Sequence, residues 1–386
     1  MRSPFSLRVG GALARHVARK LATYQNPRPL AAILAVGLGA LLAATATAAE
    51  PYQLTKAELT ALAADPAAAL KAPIVTVVDK PQASPSGDAH DYVSFARYYW
   101  PDPTKPGGLP YVPHDGKHNR EQVARGDRGR IGNFCETVVK LAAAWSVTHD
   151  EAAARRAGEW LRAWFVTPAT RMNPNLEFAQ VRLGHSDNHG NPAGVLDARG
   201  FAEVVDALQL LHDSPAFTAG EEEKIRTWFG RYLDWLMTAK NARDEHAAKN
   251  NHGSWFLAQA IPIARYAGRD ELARQLCEED KPRLADQLRP DGSQPEEIRR
   301  VDGLGYSAFN LEAQFHIARL AAGLGIDLWN YTAPNGASLR VGLNYLRSFN
   351  AQPGTWPATQ NEKLKPGFLD PLLRQFDASP AARLQP

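Results

Sequence analysis

The chain has 386 residues, with 44 basic and 41 acidic side chains and only two cysteines. Six of the basic residues lie in the first 49 positions, which hold no acidic residue, so residues 50–386 carry 38 basic against 41 acidic side chains and lack the basic surplus typical of a nucleic-acid-binding protein. Cys135 and Cys277 are too few for a disulfide scaffold or a thiolate metal site, and the sequence leaves open whether they pair.

The N-terminal segment predicts a secretory signal peptide. Basic residues precede an almost wholly apolar run over residues 30–44, and the small-residue stretch "ATATAAE" follows. A retained membrane anchor is the alternative, but the apolar run is short for a span of about 20 residues. We therefore expect residues 1–49 to be removed and residues 50–386 to form a single periplasmic domain, monomeric and free of the membrane.

Apolar residues at helical spacing recur through the rest of the chain. Two clear faces consist of Ala157, Trp160, Leu161, Trp164 and Phe165, and of Ile225, Trp228, Phe229, Tyr232, Leu233 and Leu236. Similar stretches begin near Asn133, Gly200, Ser254, Asp270, Ser307 and Ser338. Gly, Pro, Asn and Asp clusters separate them, and the main β-type run is "PIVTVV" at residues 73–78. This pattern predicts an all-α fold of helical hairpins arranged in a ring or solenoid.

A polar cluster stands where one of these helices begins, in "KNNHGSWF" at residues 249–256. One interpretation is structural, because an Asn side chain caps free N–H groups of a first helical turn and Gly is tolerated there. The other interpretation is a catalytic cluster of Asn250, Asn251 and His252. The two cannot be separated from this stretch alone.

A second polar stretch, "DGSQPEEIRRVDGLGY", covers residues 291–306 and precedes a helix predicted to start at Ser307. An ordinary solvated connection is one explanation, since charged runs usually are exposed. However, Tyr306 follows Gly303 and Gly305, where the backbone can turn tightly and allow another molecule to approach closely.

The residue types of the two stretches together fit one reaction, β-elimination in a uronic acid polymer. Removing the proton next to a carboxylate adds negative charge to a group that is already an anion, so the site must neutralise it. Asn251 and His252 can donate hydrogen bonds to that carboxylate, and an arginine can hold it by a bidentate fork. Tyr306 can act as the base if cationic neighbours lower its pKa from about 10, and it can return the proton to the leaving oxygen. The reaction needs no metal or organic cofactor.

On "NNHGSW" and "IRRVDGLGY", the chain resembles the alginate lyase family of polysaccharide lyases, which includes periplasmic mannuronate lyases and glucuronan lyases. The resemblance implies an incomplete (α/α) toroid of paired helices. It implies that Asn251, His252 and Arg299 neutralise the uronate carboxylate, and that Tyr306 is both base and acid. Arg300 can serve in place of Arg299, because adjacent residues in a loop cannot be ranked by sequence.

The resemblance extends over residues 88–356 and adds one further candidate. Glu245 precedes His252 by seven residues, and glucuronan-type relatives have a Glu in that region. Glu245 is therefore interpreted as a residue that orients His252 or shares a proton near the substrate. The alternative is an acid on the surface of a helix.

Other side chains are candidates for contacts with an anionic polyuronate. Asn175 and Gln180 are amides suited to sugar hydroxyls, His189 lies in the polar loop "LGHSDNHGNP", Tyr99 can stack on a sugar ring, and Trp356 is predicted to be exposed in a Pro-rich loop. Turn-forming and core positions are the alternatives. His185 and His189 have a spacing that binds zinc on a helix, but Gly, Pro and Asn around them disfavour a helix, so no metal site is expected.

Two other classes of protein remain open. A toroidal glycoside hydrolase would use a pair of carboxylates, for which Asp187, Glu296, Glu297 and Asp302 are candidates. A periplasmic binding protein would hold a polyuronate without cleaving it and would not need the tyrosine. We expect a lyase that prefers mannuronate-rich or glucuronate-rich, alginate-like polymers.

Overall fold

The computed structural model describes residues 54–383, so the predicted signal peptide lies outside the described residues. The helices of the described part are α1 (Lys56–Ala63), α2 (Ala67–Lys71), α3 (Arg120–Ala124), α4 (Arg128–Thr148), α5 (Glu151–Phe165), α6 (Phe201–Leu210), α7 (Glu221–Thr238), α8 (Lys240–His246), α9 (Asn251–Tyr266), α10 (Asp270–Gln287), α11 (Pro295–Ile298), α12 (Gly303–Ala322), α13 (Leu339–Arg347) and α14 (Asp370–Asp377). The strands are β1 (Val93–Phe95), β2 (Tyr99–Trp100), β3 (Val112–Pro113) and β4 (Phe178–Val181).

The helices form two layers. Helices α4, α6, α9 and α12 pack successively against one another, while α5, α7, α10 and α13 each pack against an inner helix. The inner helix α9 is buried along nearly its whole length, as expected for a helix that is apolar on all sides. The fold is an all-α (α/α) toroid, which confirms the predicted fold class.

The predicted helical faces coincide with the buried faces of the structure. All the apolar residues singled out in α5 and α7 are buried. The rings of these two helices meet those of α4 and α6 in one aromatic cluster, in which Phe134 stacks on Trp164 with ring centroids 4.5 Å apart. Periodicity therefore identified the surfaces that hold the two layers together.

The β-type run at residues 73–78 forms no strand. It leads into a short 3₁₀ turn at Val77–Asp79, and the carbonyl of Val75 accepts a hydrogen bond from the indole of Trp164. The strands that do form are short: β1 is parallel to β4, which lies far along the chain, and β2 is antiparallel to the neighbouring β3.

Cys135 and Cys277 are both free, buried thiols, so they do not pair. None of the helices within residues 54–383 is long and apolar enough to cross a membrane.

Candidate active site

The start of α9 separates the structural residues of "KNNHGSW" from the functional ones. The side-chain oxygen of Asn250 accepts a hydrogen bond from the His252 N–H at 3.2 Å, so Asn250 is the helix cap. A Cβ at Gly253 would collide with the carbonyl of Ala248 and the guanidinium of Arg283, so this position requires glycine. The capping explanation therefore accounts for Asn250, while Asn251 and His252 have other partners.

Asn251 is buried and held by a carboxylate from another segment. Its backbone N–H donates to Glu297 Oε1 at 2.6 Å, and its side-chain Nδ2 donates to Glu297 Oε2 at 2.7 Å. Burial raises the pKa of Glu297, and the two donors from Asn251 oppose that rise. Glu297 therefore fixes the orientation of the Asn251 amide and does not act as the free acid that a hydrolase would need.

His252 forms a close pair with Glu245. The distance from His252 Nδ1 to Glu245 Oε1 is 2.6 Å, and the Glu245 side chain is only 3% exposed, so the surface-acid alternative is wrong. Burial alone lowers the pKa of His252, but the hydrogen bond to Glu245 and its negative charge outweigh burial and leave that pKa raised. The arrangement favours an imidazolium. Its Nε2 has no hydrogen-bond partner among the described residues.

Tyr306 lies in the first turn of α12, which begins at Gly303 and not at the predicted Ser307. Its hydroxyl lies 2.9 Å from the Tyr98 hydroxyl and accepts a hydrogen bond from Arg300 Nη2 at 3.0 Å. The Arg300 guanidinium also lies 4.1 Å from the centroid of the Tyr306 ring.

The expectation that cationic neighbours lower the pKa of Tyr306 is wrong for this structure. Burial raises that pKa well above its usual range, the hydrogen bond with Tyr98 adds to the rise, and the charge of Arg300 only partly opposes it. One guanidinium does not compensate for the loss of solvation of a phenolate. Tyr306 is therefore neutral at pH 7.

Arg300, and not Arg299, stands beside the tyrosine. Arg300 is 25% exposed and donates to Asp115 through Nε at 3.1 Å and Nη2 at 2.8 Å, which holds the pKa of Asp115 below its usual range. Arg299 is 70% exposed and pairs with Glu296 on the surface. The assignment of the carboxylate clamp to Arg299 is therefore corrected, because successive side chains after α11 project to different sides.

The two motifs form one site. Glu297, which binds Asn251, precedes Arg300 by three residues, and the charges of both Glu297 and Arg300 act on the pKa of His252. A buried amide network further connects the two segments. Gln287 donates to the Asn250 carbonyl at 2.9 Å, and Asn310 of α12 donates to Gln287 Oε1 at 3.0 Å.

Two residues of the site have positions that the sequence analysis did not predict. Tyr98 and Asp115 contact Tyr306 and Arg300 across separations of 208 and 185 residues. The only signal was their position in an aromatic run, "RYYW", and in a polar loop, "PHDGKHN". Neither pattern distinguishes a site residue from a core or surface residue.

Three of the predicted sugar contacts are engaged or buried in the fold. Gln180 is buried and donates to the Ala193 carbonyl at 3.0 Å and to Asp197 Oδ1 at 2.9 Å. The Asn175 side chain accepts a hydrogen bond from the Glu177 N–H at 3.1 Å and so stabilises a turn. Trp356 is 7% exposed, so the prediction of an exposed ring is wrong.

Tyr99 and His189 keep some access to solvent. Tyr99 is half-buried, and the Arg182 guanidinium lies 4.9 Å from its ring centroid. His189 is exposed beside Phe178, with ring centroids 5.2 Å apart. Nothing connects either residue directly with Tyr306, so their role as sugar contacts stays a prediction.

The other hydrolase candidates do not form a catalytic pair. Asp187 lies in an exposed turn, Glu296 pairs with Arg299, and Asp302 accepts the backbone N–H groups of Asn361 and Glu362 at 2.9 and 2.7 Å. Within residues 54–383, no group of three or more metal-ligating side chains gathers.

The fold and this site together define a class of protein, the polysaccharide lyases built on an (α/α) toroid. The model of the family described as "Alginate lyase" matches residues 76–356, which is more than half of the chain. A solved alginate lyase from Bacteroides ovatus is 34% identical to this chain, with a TM-score of 0.77, over 84% of this chain and 90% of that one. The chain therefore belongs to the alginate lyase family.

More distant structures share the fold. Alginate lyase A1-III from Sphingomonas species A1 is 15% identical, with a TM-score of 0.53, over 86% of this chain and 89% of that one. A variant of alginate lyase A1-III complexed with tetrasaccharide is 16% identical, with a TM-score of 0.52, over 84% and 87% of the two chains. The comparison with curated proteins found no match.

Proposed function

We propose that this protein cleaves an alginate-like polyuronate by β-elimination at a mannuronate or glucuronate residue. The observation that carries the proposal is the Tyr306 hydroxyl, which lies 3.0 Å from Arg300 and 2.9 Å from Tyr98, in the same site as the Asn251–His252 pair. The 34% identical relative from Bacteroides ovatus is described as an alginate lyase, which supports the choice of polymer.

His252, Asn251 and Arg300 neutralise the substrate carboxylate. Glu245 raises the pKa of His252, which favours the imidazolium, and the Nε2–H of that form donates to a carboxylate oxygen. Glu297 occupies one N–H of the Asn251 amide and leaves the other available to the substrate. These donors are fixed before the substrate binds, and fixed donors stabilise the extra charge of the carbanion intermediate at little reorganisation cost.

Tyr306 transfers the proton. The ionised phenolate takes the proton from C5, electrons from the broken C5–H bond form the C4–C5 double bond, and the C4–O bond breaks. The same hydroxyl then returns the proton to the leaving oxygen. Arg300 stabilises the phenolate by its charge and its hydrogen bond. Because the raised pKa leaves few molecules ionised at neutral pH, the rate is limited by that fraction.

The single tyrosine determines the substrate preference. In mannuronate and glucuronate, the C5 hydrogen and the C4 oxygen lie on the same face of the ring, so one hydroxyl serves both transfers. In guluronate they lie on opposite faces, and a second group would be required. We therefore place mannuronate or glucuronate at the cleaved bond.

The test is an incubation of the purified protein with poly-mannuronate, glucuronan and poly-guluronate, followed by the ultraviolet absorbance of the unsaturated uronate and by mass spectrometry. The expected product carries a C4–C5 double bond and appears fastest with the first two polymers. Saturated reducing ends would instead identify a hydrolase, and a clear preference for poly-guluronate would contradict the single-tyrosine mechanism.

The proposal includes periplasmic localisation of a monomer after cleavage of the signal peptide. The leader sequence at residues 1–49 supports it. N-terminal sequencing of protein recovered from the periplasm should begin near residue 49 or 50. An intact N-terminus in the membrane fraction would instead show a retained anchor.

A further inference from the structure

A second feature lies beside the proposed site, a cleft of about 510 Å³ that we call the basic cleft. Its lining includes His118 and four arginines, Arg97, Arg120, Arg128 and Arg130. The remaining lining residues are glycines, an alanine and a valine, and no acidic residue is among them. A cleft lined by charges of one sign concentrates its electrostatic field and attracts ligands of the opposite charge.

Ion pairs within the protein neutralise only some of the arginines that line the basic cleft. Arg128 lies 3.0 Å from buried Asp197, and Arg130 lies 3.6 Å from buried Asp127. Arg97 and Arg120 form no ion pair with any of residues 54–383. Two guanidinium groups in the cleft therefore remain uncompensated.

Tyr98 separates the basic cleft from the reactive hydroxyl. The ring of Tyr98 meets His118 edge-on, with centroids 5.1 Å apart, and the Arg97 guanidinium lies 5.7 Å from its centroid. Its hydroxyl is the one that lies 2.9 Å from the Tyr306 hydroxyl. One side chain thus spans the distance from the cleft to the point of proton transfer.

We propose that the basic cleft is a subsite that binds carboxylates of the polyuronate chain next to the residue that reacts. The inference rests on the proposed function, because a polyuronate carries one carboxylate on every sugar. A chain with one carboxylate held by Arg300 and His252 places its neighbours close to Tyr98, where Arg97 and Arg120 can hold them. Long substrates should therefore bind more tightly than short ones, and added salt should reduce that advantage.

Two glycines of α4 offer a matched test. Gly129 lines the cleft and Gly132 does not, yet a Cβ at either position meets no atom within 4 Å. Gly129→Asp adds a carboxylate to the cleft without a steric clash, and an acidic residue in the first turn of a helix is favourable. Gly132→Asp adds the same charge to the same helix outside the cleft.

For Gly129→Asp we expect an unchanged or higher Tm, an unchanged kcat and a KM for long poly-mannuronate raised about tenfold, which corresponds to a repulsion of about 1.4 kcal/mol. The KM for Gly132→Asp should stay within about twofold of wild type. Arg120→Gln should raise KM in the same direction, and Arg120→Lys should restore it. Equal KM changes for the two aspartate variants, or none for Gly129→Asp and Arg120→Gln, would overturn the inference.

A binding measurement distinguishes failure of the subsite from failure of the proposed function. Calorimetric titration of Tyr306→Phe with hexa-mannuronate reports binding without turnover. Adding Gly129→Asp to that variant should weaken its binding about tenfold. If the wild-type protein forms no unsaturated product, the proposed function fails. If it does, and hexa-mannuronate binds both variants equally, only the subsite fails.

Discussion

Replacing Arg300 by alanine tests the site most directly, because its neighbour Arg299 provides a matched control. Arg300→Ala removes the guanidinium that donates to Tyr306 at 3.0 Å, so the phenolate loses this cationic partner. A hydrogen bond to a charged group contributes about 1.5 to 3 kcal/mol. At about 1.4 kcal/mol per tenfold in rate, kcat should fall by roughly ten- to a hundredfold. The variant also loses the contact between Arg300 and the substrate carboxylate, so KM should rise.

Arg299→Ala should leave kcat and KM nearly unchanged. Its side chain is 70% exposed and its only ion pair among residues 54–383 is with Glu296 on the surface, a type of interaction that contributes about 0 to 1 kcal/mol. Arg300→Lys keeps the charge but lacks the planar fork that spans Asp115 and Tyr306, so it should retain an intermediate kcat.

The assay is the initial rate of unsaturated-uronate formation over a range of poly-mannuronate concentrations, with circular dichroism to verify folding. Asp115, the partner of Arg300, is 42% exposed, so water can solvate it after the substitution and the fold should persist. A folded Arg300→Ala protein with near-normal kcat, or a larger loss for Arg299→Ala, would refute the assignment of the clamp.

Three further predictions concern single side chains. Tyr306→Phe should lower kcat by about 10² to 10⁴ or more with substrate binding retained, as measured by kinetics and calorimetry; near-normal kcat in a folded variant excludes the tyrosine mechanism. Glu245→Gln removes the carboxylate that raises the pKa of His252, so NMR titration should show a lower imidazole pKa, and activity should fall at neutral and alkaline pH but persist at acidic pH. An unchanged pKa would contradict the pairing. Trp356→Ala should destabilise the fold by about 3 to 5 kcal/mol in denaturant titration, since the ring is buried; a loss below about 1 kcal/mol would indicate an exposed ring.

Much of the fold follows from local sequence. A helix places residues three and four apart on one face, so the periodic residues of α5 and α7 identified both the helices and their buried sides. The β-type run at residues 73–78 forms no strand for a related reason. Its branched side chains favour extended backbone, but a strand also requires a hydrogen-bonding partner, and only tertiary structure supplies one.

In the candidate site, too, some residues were predictable from the sequence and others only from the structure. Asn251, His252 and Tyr306 were found because their types, set beside helix starts and glycines, match the demands of one reaction. The structure selected Arg300 over Arg299, because the direction of a side chain after α11 depends on how that turn packs.

The remaining features of the site are set by contacts between distant segments. Glu297 reaches Asn251 across 46 residues, and Tyr98 reaches Tyr306 across 208. Burial is likewise a property of packing, which is why Trp356 is covered and the pKa of Tyr306 is raised when its local sequence indicated the opposite. The sequence by itself determined which helices form and which residue types the reaction can use. Tertiary structure decided the contact partners, the exposure and the ionisation of individual side chains, because each of these depends on atoms that the chain brings together only on folding.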